Sequence, residues 1–259
     1  MNVILEVGKL GKSFGGVHAV QDVSFSVKRG TICSLIGPNG AGKTTVFNMI
    51  SGLVPPTRGT VRFEGEVITG LPAHSMAHRG LGRTFQNLAV FAHASVVDNI
   101  LVGMHSQLSA NPLTAALYWG GVRKQEIEAR RRVEEIIDFL EIQSVRDLPV
   151  GTLSYGLQKR VELGRALAMN PRLLLLDEMV SGMNQEETED IARFILDIKE
   201  QLDVTVLMVE HDMGIVMDIS DQVVVLEFGK KIGEGTPSEV SQDPRVVAAY
   251  LGNARSDAA

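Results

Sequence analysis

Residues 32–44 read Ile32-Cys33-Ser34-Leu35-Ile36-Gly37-Pro38-Asn39-Gly40-Ala41-Gly42-Lys43-Thr44. The first five form a short, mostly apolar run between turn signals, the pattern of a strand buried on both faces. The next eight match G-x-x-x-x-G-K-[ST] in full. A helix is expected from about Lys43 to Ser51, closed by Gly52. Glycines let the backbone fold tightly enough for successive N–H groups to face phosphate oxygens, and the helix N-terminus adds the positive end of its dipole. A glycine turn that merely starts a helix has no need of Lys and Thr at these offsets. Phosphate contacts are therefore expected from Gly37, Pro38, Asn39, Gly40, Ala41, Gly42, Lys43, Thr44 and Thr45. Lys43 is expected to reach β- and γ-phosphates and Thr44 to place its hydroxyl on Mg²⁺.

A second half of such a site lies at Leu173-Leu174-Leu175-Leu176-Asp177-Glu178. Four apolar residues bury a strand, and the carboxylates emerge at its C-terminal end, where open α/β sheets bind ligands. Asp177 suits Mg²⁺, a hard ion that takes oxygen ligands and keeps part of its water. Glu178 is then placed to polarise an attacking water. A leucine run ending in acids is common by chance and gains weight only from the complete loop upstream.

Two further buried strands are expected at Thr205–Val209 and Val223–Leu226, and the alternation of strand and helix patterns argues for an α/β domain with a largely parallel sheet. Val23–Val27 and Thr60–Phe63, near Gly30, Gly59 and Gly65, suggest an antiparallel sheet beside it. Between roughly 88 and 168 strand patterns disappear. There Ile127, Val133, Ile136, Ile137 and Leu140 recur at helical spacing, with Glu126/Arg130 and Glu128/Arg132 as i,i+4 pairs. Arg130–Arg132 reads as a solvated helix face. A helical subdomain inserted into the α/β core is the expectation.

Leu153-Ser154-Tyr155-Gly156-Leu157-Gln158-Lys159-Arg160 separates this chain from other proteins with a phosphate loop. Ser154 is a good N-cap, and Leu157, Val161 and Ala168 can share one face of a helix stopped by Asn170-Pro171. A helix start carrying Ser and Gly is a second place for an anion. The segment resembles the signature of ABC ATPases, usually L-S-G-G-Q, with Tyr155 in place of the first glycine and Leu157 at the usual glutamine. The resemblance covers almost the entire chain. It implies a P-loop NTPase (RecA-like) α/β core with an antiparallel β subdomain and an inserted α-helical one, together spanning 4–252, and a tail at 253–259. It implies ATP and Mg²⁺ as ligands. Phe14 takes the place of the aromatic that stacks on adenine, with a core role as the alternative. Gln86 matches the glutamine that approaches Mg²⁺ and the attacking water, and His211 the histidine near the γ-phosphate. The implied catalytic set is Glu178, His211, Gln86 and Lys43, and the metal set Thr44, Gln86 and Asp177. In this family two subunits meet head to tail, so ATP lies between the loop of one and Ser154 and Gly156 of the other. Attached membrane subunits convert closure and reopening into alternating access.

Finer matches resemble the subfamily serving branched-chain amino-acid uptake, particularly its longer ATPase subunit. They are Gly82–Asn87, Val96–Ile100, Gly235-Thr236-Pro237, and the tail from Asp243 to Gly252; the uncharged segment around 105–122 corresponds to the longer subunit's insertion. The implied partners are a second ATPase subunit, identical or different, two transmembrane permease subunits and, indirectly, an extracytoplasmic binding protein. The implied place is the cytoplasmic face of the membrane. Nothing in these residues reads an amino acid, so amides, urea and other small carboxylates stay open as cargo. Two features depart from or refine the pattern. Met179 stands where the family commonly has Pro, which is expected to loosen the following loop, while Asn184 fits the subfamily.

Composition limits the alternatives. With 25 basic and 31 acidic residues the net charge is −6, which argues against a nucleic-acid surface. Lone Cys33 sits in the apolar run and reads as a core residue. Asn99 to Val122 carries Asn111 and Pro112 among other interruptions, against a membrane span. His74 and His78 have metal-pair spacing without an evident third ligand. One cassette with a single Cys argues against soluble DNA-repair or translation ATPases, and retained Glu178 and His211 argue against a non-hydrolysing sensor. A lipopolysaccharide exporter's ATPase is the nearest alternative among transporters.

Overall fold

The computed structural model describes residues 2–84, 90–104 and 121–253. Its strands are β1 (Val3–Phe14), β2 (Val17–Lys28), β3 (Ile32–Ile36), β4 (Arg58–Phe63) and β5 (Glu66–Val67), then β6 (Leu81–Arg83), β7 (Leu173–Asp177), β8 (Thr205–Val209), β9 (Gln222–Glu227) and β10 (Lys230–Gly235). The helices begin with α1 (Lys43–Ile50), α2 (Ala73–His78), α3 (Val96–Gly103), α4 (Gly121–Phe139) and α5 (Tyr155–Ala168). They end with α6 (Gln185–Leu202), α7 (Met213–Ile219), α8 (Pro237–Gln242) and α9 (Pro244–Asn253).

Two sheets organise these elements. One is antiparallel with strand order β2-β1-β4-β5; the other has order β10-β9-β3-β8-β7-β6. In the second sheet only β10 runs antiparallel to its neighbour. Successive side chains of its central strands go to opposite faces. Ile32, Ile36, Leu174, Leu176, Val206 and Met208 join one apolar cluster, which also holds residues of α3 to α6. Cys33, Leu35, Leu173, Leu175, Leu207 and Val209 join the other, with α1 and the antiparallel sheet. Unbroken apolar runs follow from burial on both sides. Cys33 is fully buried, and that burial pushes its thiol pKa upward, as suits a core residue.

Where the sequence reading differs, the cause is local. The strand patterns at 23–27 and 60–63 are parts of longer strands. β1 escaped detection because register shifts interrupt its alternation, and Lys9 within it has a positive φ of 47°. β6 is only three residues long.

In α4, Val133, Ile136 and Ile137 are buried, as is Leu140 just beyond it. Ile127 is not; it is 59% exposed, and Ala129 takes the inward position. At 3.6 residues per turn, six residues place Ile127 about 120° round the helix from Val133. Glu126 pairs with Arg130 at 3.2 Å as expected, but Arg132 pairs with Glu135 at 3.6 Å instead of Glu128. Phe139 at the end of α4 meets Phe194 of α6 in a tilted pair with centroids 6.4 Å apart. Phe194 is fully buried, so the two helices share its packing. Phe194→Ala is expected to lower stability by about 3–5 kcal/mol, read from urea unfolding, because the cavity left between helices cannot fully collapse.

Candidate nucleotide site

Parallel register brings three strand ends together. Leu35 of β3 pairs with Val209 of β8, and Val209 pairs with Asp177 of β7. The chain therefore leaves β3 into the loop at 37–42, β7 into Glu178, and β8 into Glu210 and His211, all at one end of the sheet.

The loop is pressed from two sides. A Cβ at Gly37, where φ is 149°, would lie 2.1 Å from the Leu226 carbonyl oxygen. At Gly42, φ 98°, it would lie 2.7 Å from that of Ala19. Only glycine fits either position. Gly42 is also the N-cap of α1, and no side chain caps that helix start, which suits its first N–H groups to an anion. Lys43 is buried, and its Nζ donates to the carbonyls of Gly37 at 2.6 Å and Pro38 at 3.1 Å. Burial lowers its pKa, and the negative charge of Glu178 opposes that shift. Lys43 and Glu178 thus sense each other across the strand ends. Thr44 is exposed beside this group and Thr45 half-buried.

Asp177 is fully buried. Its N–H donates to Thr84 Oγ1 at 3.2 Å, and its Oδ2 accepts from Arg83 Nη2 at 3.0 Å. Burial raises its pKa against the pull of Arg83. Among the described residues Oδ1 has no hydrogen-bond partner. A buried, unsatisfied carboxylate oxygen fits a cation or its bound water. With Thr44 supplying a hydroxyl, the residues present suit Mg²⁺, which needs few protein ligands. Arg83 also donates to Ser51 Oγ and lies 5.0 Å from the Phe47 ring centroid, so it ties the end of α1 to Asp177. The sequence reading assigned Arg83 no role. No sequence pattern marks it, because its partner Asp177 is distant along the chain.

Glu178 is half-buried and occupies the left-handed region with φ 49°, a conformation costing about 1–3 kcal/mol for a non-glycine residue. Its N–H donates to Val209 O at 2.9 Å, which fixes where the chain turns off the sheet. The loop that follows, where Met179 stands in place of proline, has its own packing and capping. Met179 and Val180 are buried in the helix-side core, and Asn184 closes the loop by capping α6 in a capping box with Glu187. Buried side chains anchor this loop without a proline.

His211 is exposed between the end of β8 and Asp212, whose side chain caps α7 by accepting from Ile215 N–H at 3.2 Å. Phe14 is 50% exposed at the end of β1, with Lys12 Nζ 5.0 Å from its ring centroid, so it is not a core residue. Ser154 and Gly156 form a separate group at the head of α5. Ser154 is exposed and caps the helix, accepting from Leu157 N–H at 3.4 Å. A Cβ on Gly156 would lie 2.4 Å from Glu187 Oε1, so the heads of α5 and α6 meet there. Gln86 and most of the segment at 105–122 lie outside the described residues.

The chain is similar to known proteins along nearly its whole length. The ABC transporter family model matches residues 20–181, and the model for branched-chain amino acid ATP-binding cassette transporters matches residues 230–255. The chain is 42% identical to the high-affinity branched-chain amino acid transport ATP-binding protein BraF of Pseudomonas aeruginosa, over 97% of this chain and 98% of that protein. It is 36% identical to the lipopolysaccharide export system ATP-binding protein LptB of Acidithiobacillus ferridurans, over 98% of each. Among solved structures, the ADP conformation of MJ1267, an ATP-binding cassette of an ABC transporter, superimposes with a TM-score of 0.85 at 34% identity, covering 97% of this chain and 100% of that one. A phosphate loop, an acidic strand end and a capped signature helix on one scaffold, matched along nearly the whole chain, establish that this protein belongs to the ABC transporter family as one of its ATP-binding, ATP-hydrolysing cassettes.

Proposed function

We propose that this cassette powers the uptake of branched-chain or related amino acids through separate membrane subunits. The observation that carries this reading is the similarity to BraF over both full lengths, reinforced by the subfamily match at residues 230–255. Residues 4–252 act as one nucleotide-binding unit with the helical part at about 88–168 inserted in it, and 253–259 as a tail.

In this reading the loop from Gly37 to Thr45 holds the ATP phosphates through its backbone N–H groups, of which Pro38 has none, and through the Lys43 ammonium. Phe14 offers its exposed ring to adenine. Thr44, Gln86 and Asp177 would hold Mg²⁺, which neutralises charge on the phosphate oxygens when bound. Glu178 polarises the attacking water, while Gln86 and His211 orient the γ-phosphate end. Ser154 and Gly156 of a second ATPase subunit close over the nucleotide. The cassette works at the cytoplasmic face of the membrane, attached to two permease subunits that meet an extracytoplasmic binding protein. No described helix is long and apolar enough to cross a membrane, so the spanning chains would be those permeases.

Affinity purification of the full chain from membranes is expected to bring down permeases of the amino-acid type; recovery of lipopolysaccharide-export subunits instead would redirect the assignment. Glu178→Gln is expected to keep ATP affinity while slowing hydrolysis by roughly 10²–10⁴, measured by phosphate release. Near-normal turnover would remove Glu178 from its role. Ser154→Arg is expected to bind ATP yet fail to hydrolyse it with an identical partner. Mixed with a Lys43→Ala chain, it should regain activity, since one site of each mixed pair carries neither change. A fully active Ser154→Arg protein would refute the assignment across the pair.

A further inference from the structure

Glu210 has no place in the machinery above, yet it is among the most enclosed acids of the chain, 2% exposed. It directly follows β8 and directly precedes His211. Its carboxylate lies against the loop that follows Glu178: Oε1 accepts from the Val180 N–H at 3.4 Å, and the N–H groups of Met179 and His211 also act on it. Oε2 is buried and, among the described residues, has no hydrogen-bond partner. Burial and the nearby Glu178 push its pKa up to about 7 while the three N–H groups oppose the shift.

An irregular loop buried under Met179 and Val180 has backbone N–H groups that neither helix nor sheet can satisfy. A side-chain acceptor must reach them, and Glu210 does so from the neighbouring strand end. Beside it runs a backbone tie, Glu178 N–H to Val209 O at 2.9 Å. One backbone bond and one carboxylate thus join the segment carrying Glu178 to the segment carrying His211. An aliphatic side chain of equal length would fill the same space without the desolvation cost of a carboxylate, but it would leave those N–H groups unpaired.

We propose that Glu210 is a positioning residue for ATP hydrolysis, its carboxylate holding the Glu178 and His211 segments in fixed mutual placement. This rests on the reading of Glu178 and His211 given above. Glu210 touches no substrate in this account; it acts through the two loops it spans.

The test uses the full chain with whatever subunits co-purify, measuring steady-state ATP hydrolysis, equilibrium ATP binding and thermal unfolding in parallel. Glu210→Met keeps length and volume but has no acceptor. Glu210→Asp keeps the charge but falls one methylene short of Val180. Glu210→Gln keeps an acceptor oxygen at full reach. Both Glu210→Met and Glu210→Asp are expected to lower kcat by about 10–100-fold with ATP affinity changed by no more than about twofold, the scale of a small misplacement of reacting groups. Glu210→Gln is expected to restore most of the turnover. Wild-type kcat in Glu210→Met overturns the proposal, as does a parallel loss of ATP binding and turnover, or a Glu210→Gln protein as slow as Glu210→Met. Should Glu210→Met fail to fold, Glu210→Asp decides, and wild-type turnover there overturns the proposal. A slow Glu178→Gln beside a normal Glu210→Asp would sink only this inference; a normal Glu178→Gln would sink the reading beneath it.

Discussion

Strands β3, β8 and β7 are buried on both faces, and that burial locks their register. Sliding any one of them by a residue would exchange its two sets of side chains between the two clusters, moving Cys33 and Leu35, for example, into space shaped for Ile32 and Ile36. The strand ends are locked with them, so Gly37, Glu178 and His211 inherit their relative positions from the core. A site assembled from residues some 170 positions apart in sequence is thereby placed by the register of the sheet beneath it.

Around those ends several features that are costly taken singly are gathered together. Gly37 and Gly42 have backbones that no other residue fits, Glu178 is left-handed, and Lys43 is buried against carbonyls. Asp177 keeps one oxygen unsatisfied in the interior. Each feature is unfavourable alone and is held by the surrounding core. Together they present positive N–H groups and an ammonium on one side and an unsatisfied carboxylate on the other, the arrangement that a metal-bound polyphosphate complements.

The chain's own course joins this site to the helix that Ser154 caps. β6 and β7 are neighbours in the sheet, yet the chain between them builds α3, α4 and α5 before returning. α5 leads directly into β7, and from Glu178 the anchored loop runs to Asn184 and Glu187 at the head of α6. Glu187 in turn closes on Gly156. The segment that follows Glu178 thus meets the helix start that carries Ser154 where Glu187 lies against Gly156.

By itself the sequence determined the phosphate loop, the central strands, the acidic end of β7 and the capped start of α5. Each is a local pattern in which spacing alone dictates backbone geometry, and family membership followed from the same stretches. The tertiary structure alone decided what depends on distant partners. β1 became visible only through its pairing with β2 and β4, because bulges break its alternation. Arg83 acquired its place from Asp177, 94 residues away. Ile127 fits a helical pattern yet faces outward, since periodicity says which residues share a face and not which face meets the core. The burial of Met179 and the place of Glu210 beside the Val180 N–H likewise came only from the fold. The division is physical: local patterns constrain dihedral angles along the chain, whereas buried polar partners are chosen by packing, which no short stretch contains.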